Sequence, residues 1–239
     1  AVHSIVDVVF YVTRTLPLVG FFAGMAWLAV EVPEGSKVAP RSGWWIRYRW
    51  WLIGLSILIV VAGLAMLNHR TLIGAGYANL GALEQTRLEL RTYDSSHFDD
   101  PTMDEIRQQL DLSRATAYFE QALSWDPENR SAHQRLAEIA LSRGNYPEAL
   151  ALMQALYDAG HRDEVTRLLL GDALVAQGYP QAAAEVVRDL SWAVLRLNGQ
   201  AWYRYYRQGD YEGAANAWQA ALLLDPNDSN ALQGLELLG

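Results

Sequence analysis

The side chains that most often carry out catalysis occur in this sequence, but they are not spaced for it. There is no cysteine, which excludes disulfides, thiolate metal sites and a cysteine nucleophile. No HExxH pair, G-x-S-x-G elbow or phosphate-binding loop occurs. The five histidines are scattered along the chain: His3, His69, His97, His133 and His161. The sequence therefore predicts no catalytic residue, no metal site and no cofactor, and we do not expect an enzyme.

An acidic stretch, residues 94–105 (DSSHFDDPTMDE), brings several oxygen ligands together. Oxygen ligands suit Ca²⁺, but the stretch lacks the alternating acids, central glycine and closing glutamate of an EF-hand loop. The alternative is an exposed loop followed by the acid-rich start of a helix, with Pro101 in its first turn. We favour the loop and helix, and the sequence leaves a cation there open.

Residues 51–67, WLIGLSILIVVAGLAML, carry no charge. At about 1.5 Å of rise per residue, a helix of this length crosses most of a hydrocarbon core about 30 Å thick. Indole rings and guanidinium groups at its start are suited to the membrane interface. These candidate anchors are Trp44, Trp45, Arg47, Arg49, Trp50 and Trp51. The pattern predicts a transmembrane helix over residues 50–69.

An earlier apolar segment, residues 16–30, predicts another span within residues 1–33. Its length is short for a span, and an extension toward Ile5 would include Arg14 and Asp7. One solution is a single long helix, and the other is an interfacial segment before Pro17 followed by a short span. Gly20 and Gly24 form a GxxxG motif, which lets two membrane helices approach closely.

The charge distribution sets the expected orientation. Residues 1–70 hold six cations and three acids, a net of +3, so the rest of a chain with net charge −8 must carry −11. The turn-rich connector 34–49 is basic, which predicts a cytoplasmic position in a two-pass protein of the cell membrane. The domain 70–239 would then lie outside the cytoplasm. Its acidity argues against nucleic-acid binding.

The remainder of the chain shows an internal repeat. Gly144, Gly178 and Gly209 recur at separations of 34 and 31 residues. An alanine follows each glycine five residues later: Ala149, Ala183 and Ala214. Two acid–proline pairs, at 126–127 and 225–226, end two of the units. Repeats of this kind stack so that neighbours bury a continuous core, and the small residues allow the helices to approach closely.

This pattern resembles the tetratricopeptide repeat, a 34-residue helix–turn–helix, over roughly 165 residues. The segment RQGDYEGAANAWQAALLLDP matches the glycine, aromatic, alanine and proline positions of that family together. The resemblance implies a solenoid of about three and a half repeats. Together with the two transmembrane helices predicted above, this makes an all-α chain. The units would be 71–127 with the acidic loop inserted, 130–163, 164–194, 195–228 and a capping helix 229–238. Repeat three lacks the final proline, and Trp202 occupies a small-residue position of repeat four.

In this family the first helices of successive repeats line a concave groove that holds peptides or protein segments. The resemblance implies a partner-binding groove formed by Gln134, Arg135, Glu138, Leu141, Leu168, Leu169, Asp172, Val175, Gln200, Tyr203, Tyr206 and Arg207. These residues do not match the family's basic clamp for C-terminal carboxylates. The mixture of Tyr, Arg and Leu suits an amphipathic helix or the surface of another subunit.

Two functions fit these features. The first is a membrane-anchored protein–protein interaction scaffold, an accessory subunit of a larger bacterial membrane complex whose partner docks outside the cytoplasm. The second is a chaperone or assembly factor for client polypeptides, similar in layout to the tetratricopeptide factor of c-type cytochrome maturation. Both predict protein partners and a lipid bilayer, without nucleic acid.

Overall fold

The computed structural model describes residues 43–92 and 103–239, without the side chains of residues 43–50, 52 and 65. Every regular element in these ranges is helical, which confirms the all-α expectation. The α-helices are α1 Gly43–Leu67, α2 His69–Thr92, α3 Met103–Gln109, α4 Ser113–Trp125, α5 Arg130–Ser142, α6 Tyr146–Asp158, α7 Glu164–Ala176, α8 Pro180–Val187, α9 Ala193–Gly199, α10 Tyr211–Leu224 and α11 Ser229–Glu236. A π-helical segment, Gln200–Tyr205, continues α9.

The chain divides into two units between Leu72 and Ile73. The uncharged run 51–67 lies within α1, and large apolar side chains along it are exposed, including Leu58, Ile59 and Leu67. Among the described residues no single helix has both the length and the hydropathy of a membrane span. The bent pair Ile53–Leu64 and His69–Thr92 meets both criteria when its two segments are combined.

The sequence left open whether the second apolar helix continues unbroken into the following segment. The structure separates α1 from α2 with a turn at Asn68. The Asn68 amide donates to the carbonyl oxygen of Leu64 at 2.9 Å, so this side chain competes with the backbone for a helical acceptor. The first apolar segment, with Gly20 and Gly24, and residues 94–102 of the acidic stretch lie outside the described residues.

The unit 73–239 is built from helix pairs. They are α2 with α4, α5 with α6, α7 with α8, and α9 with α10, followed by α11. Aspartate or asparagine caps start several of these helices, because the side-chain oxygen accepts from a free N–H of the first turn. Asn129 accepts from Ala132 N, and Asp228 accepts from Ala231 N at 2.8 Å.

The three repeating glycines end the first helix of their pairs in the left-handed region, as the sequence predicted. The φ angles of Gly144, Gly178 and Gly209 are 73°, 80° and 80°. A residue with a Cβ atom is strained at such angles, so glycine lets the chain reverse into the second helix without that cost.

Small residues do allow close helix approach. Ala137, Ala149, Ala183 and Ala214 are all fully buried. At Gly171 a Cβ atom would lie 2.8 Å from Cγ1 of Val187, which is closer than carbon atoms pack. The contact between α7 and α8 therefore depends on the missing side chain at this position.

The sequence placed Trp202 at the small-residue position of repeat four, and this register is wrong. The π-helical segment adds one residue to the helix, so Ala201 takes the contact position and is fully buried. Trp202 is 40 % exposed instead. The insertion explains how a bulky tryptophan is tolerated here without separating the helices.

We expect Gly171→Ala to lower the free energy of unfolding by about 1–3 kcal/mol, because its methyl group would overpack against Val187. Gly76→Ala is the matched control, since nothing lies within 4 Å of a Cβ at Gly76 and alanine favours a helix. Denaturant unfolding followed by circular dichroism measures both changes. Equal stability of the two variants would show that α7 and α8 are not in close contact.

Candidate functional site

The site is organised around α3, which lies in the chain between the two helices of the first pair. Helix α3 packs on α5, and Ile106 at its centre is 2 % exposed. Its first turn carries Asp104 and Glu105, as the sequence predicted for the residues after the acidic loop. The acids complement the positive end of the helix dipole.

Asp104 connects α3 to the last helix pair. Its Oδ2 accepts a hydrogen bond from Nε of Arg204 at 2.7 Å, and its Oδ1 accepts from the Ser142 hydroxyl at 2.6 Å. The Arg204 side chain is 8 % exposed and the Asp104 side chain 14 %. Two opposite charges are thus removed together from water, with hydrogen bonds that satisfy both carboxylate oxygens.

The ionisation of this pair follows from its geometry. Burial by itself disfavours the Asp104 carboxylate, but the hydrogen bond and charge of Arg204 outweigh it and lower the pKa of Asp104 below the usual 3.8. Burial also disfavours the Arg204 charge, yet Asp104 and Asp172 raise the pKa of Arg204. Both groups are therefore charged at neutral pH.

Arg107 makes the second set of contacts from α3. Its Nε donates to Glu89 on α2 at 2.7 Å, and its Nη2 lies 3.4 Å from Oε2 of Glu138 on α5. Arg135 approaches the same Glu138 oxygen at 3.5 Å. This helix of seven residues is therefore tied to the first helix of two neighbouring pairs.

Asp172 on α7 extends the Asp104–Arg204 set to the third pair. Its Oδ1 accepts from Nε of Arg196 at 3.2 Å and its Oδ2 accepts from Nη2 at 2.6 Å, a bidentate arrangement. The Asp172 charge raises the pKa of Arg196. Nη1 of Arg204 lies 3.9 Å from Asp172 and has no hydrogen-bond partner among the described residues.

A cleft of about 420 Å³ lies beside α3. Its walls combine the charged network with apolar and aromatic side chains: Met103, Asp104, Arg107, Glu138, Leu169, Arg196, Gly199, Gln200, Tyr203 and Arg204. We call this surface, including the bridging Asp172, the inner face. Its charges are nearly all paired, whereas the Tyr203 ring is 50 % exposed beside them.

Four residues of the groove inferred from the resemblance line this cleft: Glu138, Leu169, Gln200 and Tyr203. Asp172 and Arg135 contact the cleft residues through the ion pairs described above. Arg207 lies over the exposed ring of Tyr203, with its guanidinium carbon 5.9 Å from the ring centre.

The other five inferred residues lie elsewhere. Gln134 donates to the Thr166 hydroxyl at 3.0 Å, between α5 and α7. Leu141 and Val175 are each 1 % exposed, and Leu168 is half-buried against the same core. Tyr206 stacks on Trp202 with 4.9 Å between ring centres. The buried leucine and valine side chains are core residues and offer no surface to a partner.

Sequence reasoning missed Arg196 and Arg204 and the whole contribution of α3. Arg196 and Arg204 lie four residues before and after Gln200, which is the spacing of one helix face. Extending the inferred face by one turn in each direction would have found them. Nothing in the sequence pairs Asp104 with a residue one hundred positions later.

In the part of the chain that the structure describes, no group of three histidine, aspartate or glutamate side chains is placed to hold a metal ion. Family models of the tetratricopeptide repeat match residues 107–165 and 203–228. Among curated proteins, none is significantly similar to this chain. Tetratricopeptide repeats are thus detected in these two ranges, which contain Arg107, Glu138, Tyr203 and Arg204 of the inner face.

We expect Asp104→Asn to reduce the free energy of unfolding by about 3 kcal/mol at neutral pH, because it leaves the buried Arg204 charge underpaired. The folded-state pKa of Asp104 is lowered, so its stabilisation is complete above the unfolded value, near 3.8, and is lost as pH falls through the lower folded value. Denaturant unfolding between pH 3 and pH 8 measures the difference from the parent protein.

Asp189→Asn is the control, since Asp189 pairs with Arg167 but is 73 % exposed. Solvent screens that pair, so the loss should be clearly smaller. A difference between the parent and Asp104→Asn that stays constant down to pH 3 would contradict the assignment.

Proposed function

We propose that this protein is a membrane-anchored protein–protein interaction scaffold, an accessory subunit of a larger bacterial membrane complex. The observation that carries the proposal is the inner face: a partly open cleft, lined by first helices of the repeats, in which exposed Tyr203 lies beside paired arginines. Tyrosine and arginine contribute strongly to protein interfaces, and tetratricopeptide repeats bind protein partners.

The proposed anchor is α1 together with the apolar segment before it. The support is the uncharged run 51–67 and its exposed apolar side chains, which a hydrocarbon phase would cover. The basic connector favours a cytoplasmic position for residues 34–49, so the partner would dock on the outer side of the cell membrane. A chaperone or assembly factor shares these features and differs in binding many clients transiently.

We expect the full chain to remain in the membrane pellet after alkaline carbonate extraction. Introducing Leu58→Arg and Val61→Arg should shift it toward the supernatant, because each arginine near the centre of a span costs about 2.5–3.5 kcal/mol. Leu195→Arg with Leu223→Arg is the matched control, since these leucines are exposed in the repeat unit. That control should stay in the pellet.

A parent chain that is soluble without detergent would end the anchoring proposal. Protease added only to the cytoplasmic side should leave residues 70–239 intact. Their digestion would reverse the proposed orientation.

Photo-crosslinking tests the docking surface. A benzoylphenylalanine in place of Tyr203, on the inner face, should crosslink one stoichiometric partner in native membranes. The same substitution at Tyr179 should not, although its exposed fraction, 54 %, is similar to the 50 % of Tyr203. Equal crosslinking from both positions would contradict docking at the inner face, and many weak products from Tyr203 would favour the assembly factor.

A further inference from the structure

Helix α3 is an additional element on the inner face. Every other α-helix of the described residues after Ile73 belongs to a helix pair or follows the last one, whereas α3 interrupts the first pair. Its seven residues are too few to form a stable helix in water alone. Docking on the inner face must therefore hold α3 in its helical form.

The docking contacts of α3 are mainly polar. Ile106 is its one buried apolar side chain, and Met103 is 38 % exposed. Its polar contacts include the ion pairs of Asp104 and Arg107 and two hydrogen bonds with Ser142. The Ser142 hydroxyl donates to Asp104 at 2.6 Å, and the Gln108 amide donates to the Ser142 carbonyl oxygen at 2.8 Å. Ion pairs and hydrogen bonds of this kind can be exchanged for those of another polypeptide with matching groups.

The inner face requires an anion on α3 or on whatever replaces it. Arg204 is buried and charged, so withdrawing Asp104 without substitution would leave a charge in a site of low polarity. Nη1 of Arg204 has no hydrogen-bond partner among the described residues and is available to a second acceptor. Arg196 and the exposed ring of Tyr203 line the same cleft as Arg204.

We propose that the partner docks on the inner face as a short helix whose carboxylate replaces Asp104 on Arg204. Helix α3 is then an internal occupant that holds the site closed until the partner displaces it. This inference rests on the proposed function, because it names the chemistry of the segment that the scaffold binds. The segment carries an acid, an apolar residue two positions later and a cation directly after it, as Asp104, Ile106 and Arg107 do in α3.

A fluorescent peptide with the sequence of residues 103–112, MDEIRQQLDL, is the probe, and anisotropy with the purified full chain is the readout. Ile106→Ala in the full chain loosens the internal helix without changing the inner face. We expect the peptide to bind this variant at least about tenfold more tightly than the parent chain, because competition from α3 is reduced. Gln108→Ala, which removes one hydrogen bond, should give a smaller gain.

The peptide itself supplies a matched pair. Asp104→Asn in the peptide should weaken binding by about tenfold or more, as expected when a buried ion pair loses one partner. Asp111→Asn changes the net charge equally at an exposed position outside α3 and should leave binding unchanged. Equal losses from the two peptides would overturn the role of Arg204.

Failure of the peptide to bind either loosened variant, while circular dichroism shows a retained helix signal, would overturn the displacement. If Ile106→Ala does not fold, the Gln108→Ala chain decides the question alone. A partner crosslink from position 203 that persists despite a failed peptide would leave the scaffold in place and remove only this inference.

Discussion

A buried arginine sets the main constraint on this structure. Arg204 lies in the last helix pair with 8 % of its side chain exposed, and removal of its charge from water is tolerated because Asp104 provides a carboxylate at 2.7 Å. Asp104 can do so only if α3 lies across the first helices of the repeats. The position of α3, and with it the Asp104 carboxylate in the wall of the cleft, follows from this requirement.

The parts of the fold that depend on local chemistry were predictable from sequence. Left-handed glycines must be followed by a change of direction, so Gly144, Gly178 and Gly209 mark the end of the first helix in three pairs. Alanines five residues later fix which face of the second helix is buried. These signals repeat, and repetition separates them from the chance occurrence of small residues.

The candidate site was less accessible to sequence reasoning, for two physical reasons. A constant spacing back from Gly209 assumes a regular α-helix, and the π-helical segment Gln200–Tyr205 adds a residue, which moved Trp202 out of the contact position and Ala201 into it. The long-range pairing of Asp104 depends on where an inserted segment returns to the solenoid. No periodic signal encodes that return, and the ten residues before Met103 lie outside the described structure.

A stack of helix pairs normally behaves as a one-dimensional array, in which each unit gains stability only from its immediate neighbours and can fray from either end. The insertion of α3 changes this behaviour, since it bonds the first, second and fourth pairs to one another. Loss of the last pair, α9 with α10, would leave the Asp104 carboxylate on α3 without its arginine partner. Such cross-linking by non-covalent contacts makes the array unfold cooperatively as one body, at the expense of slower folding because its contacts join distant parts of the chain.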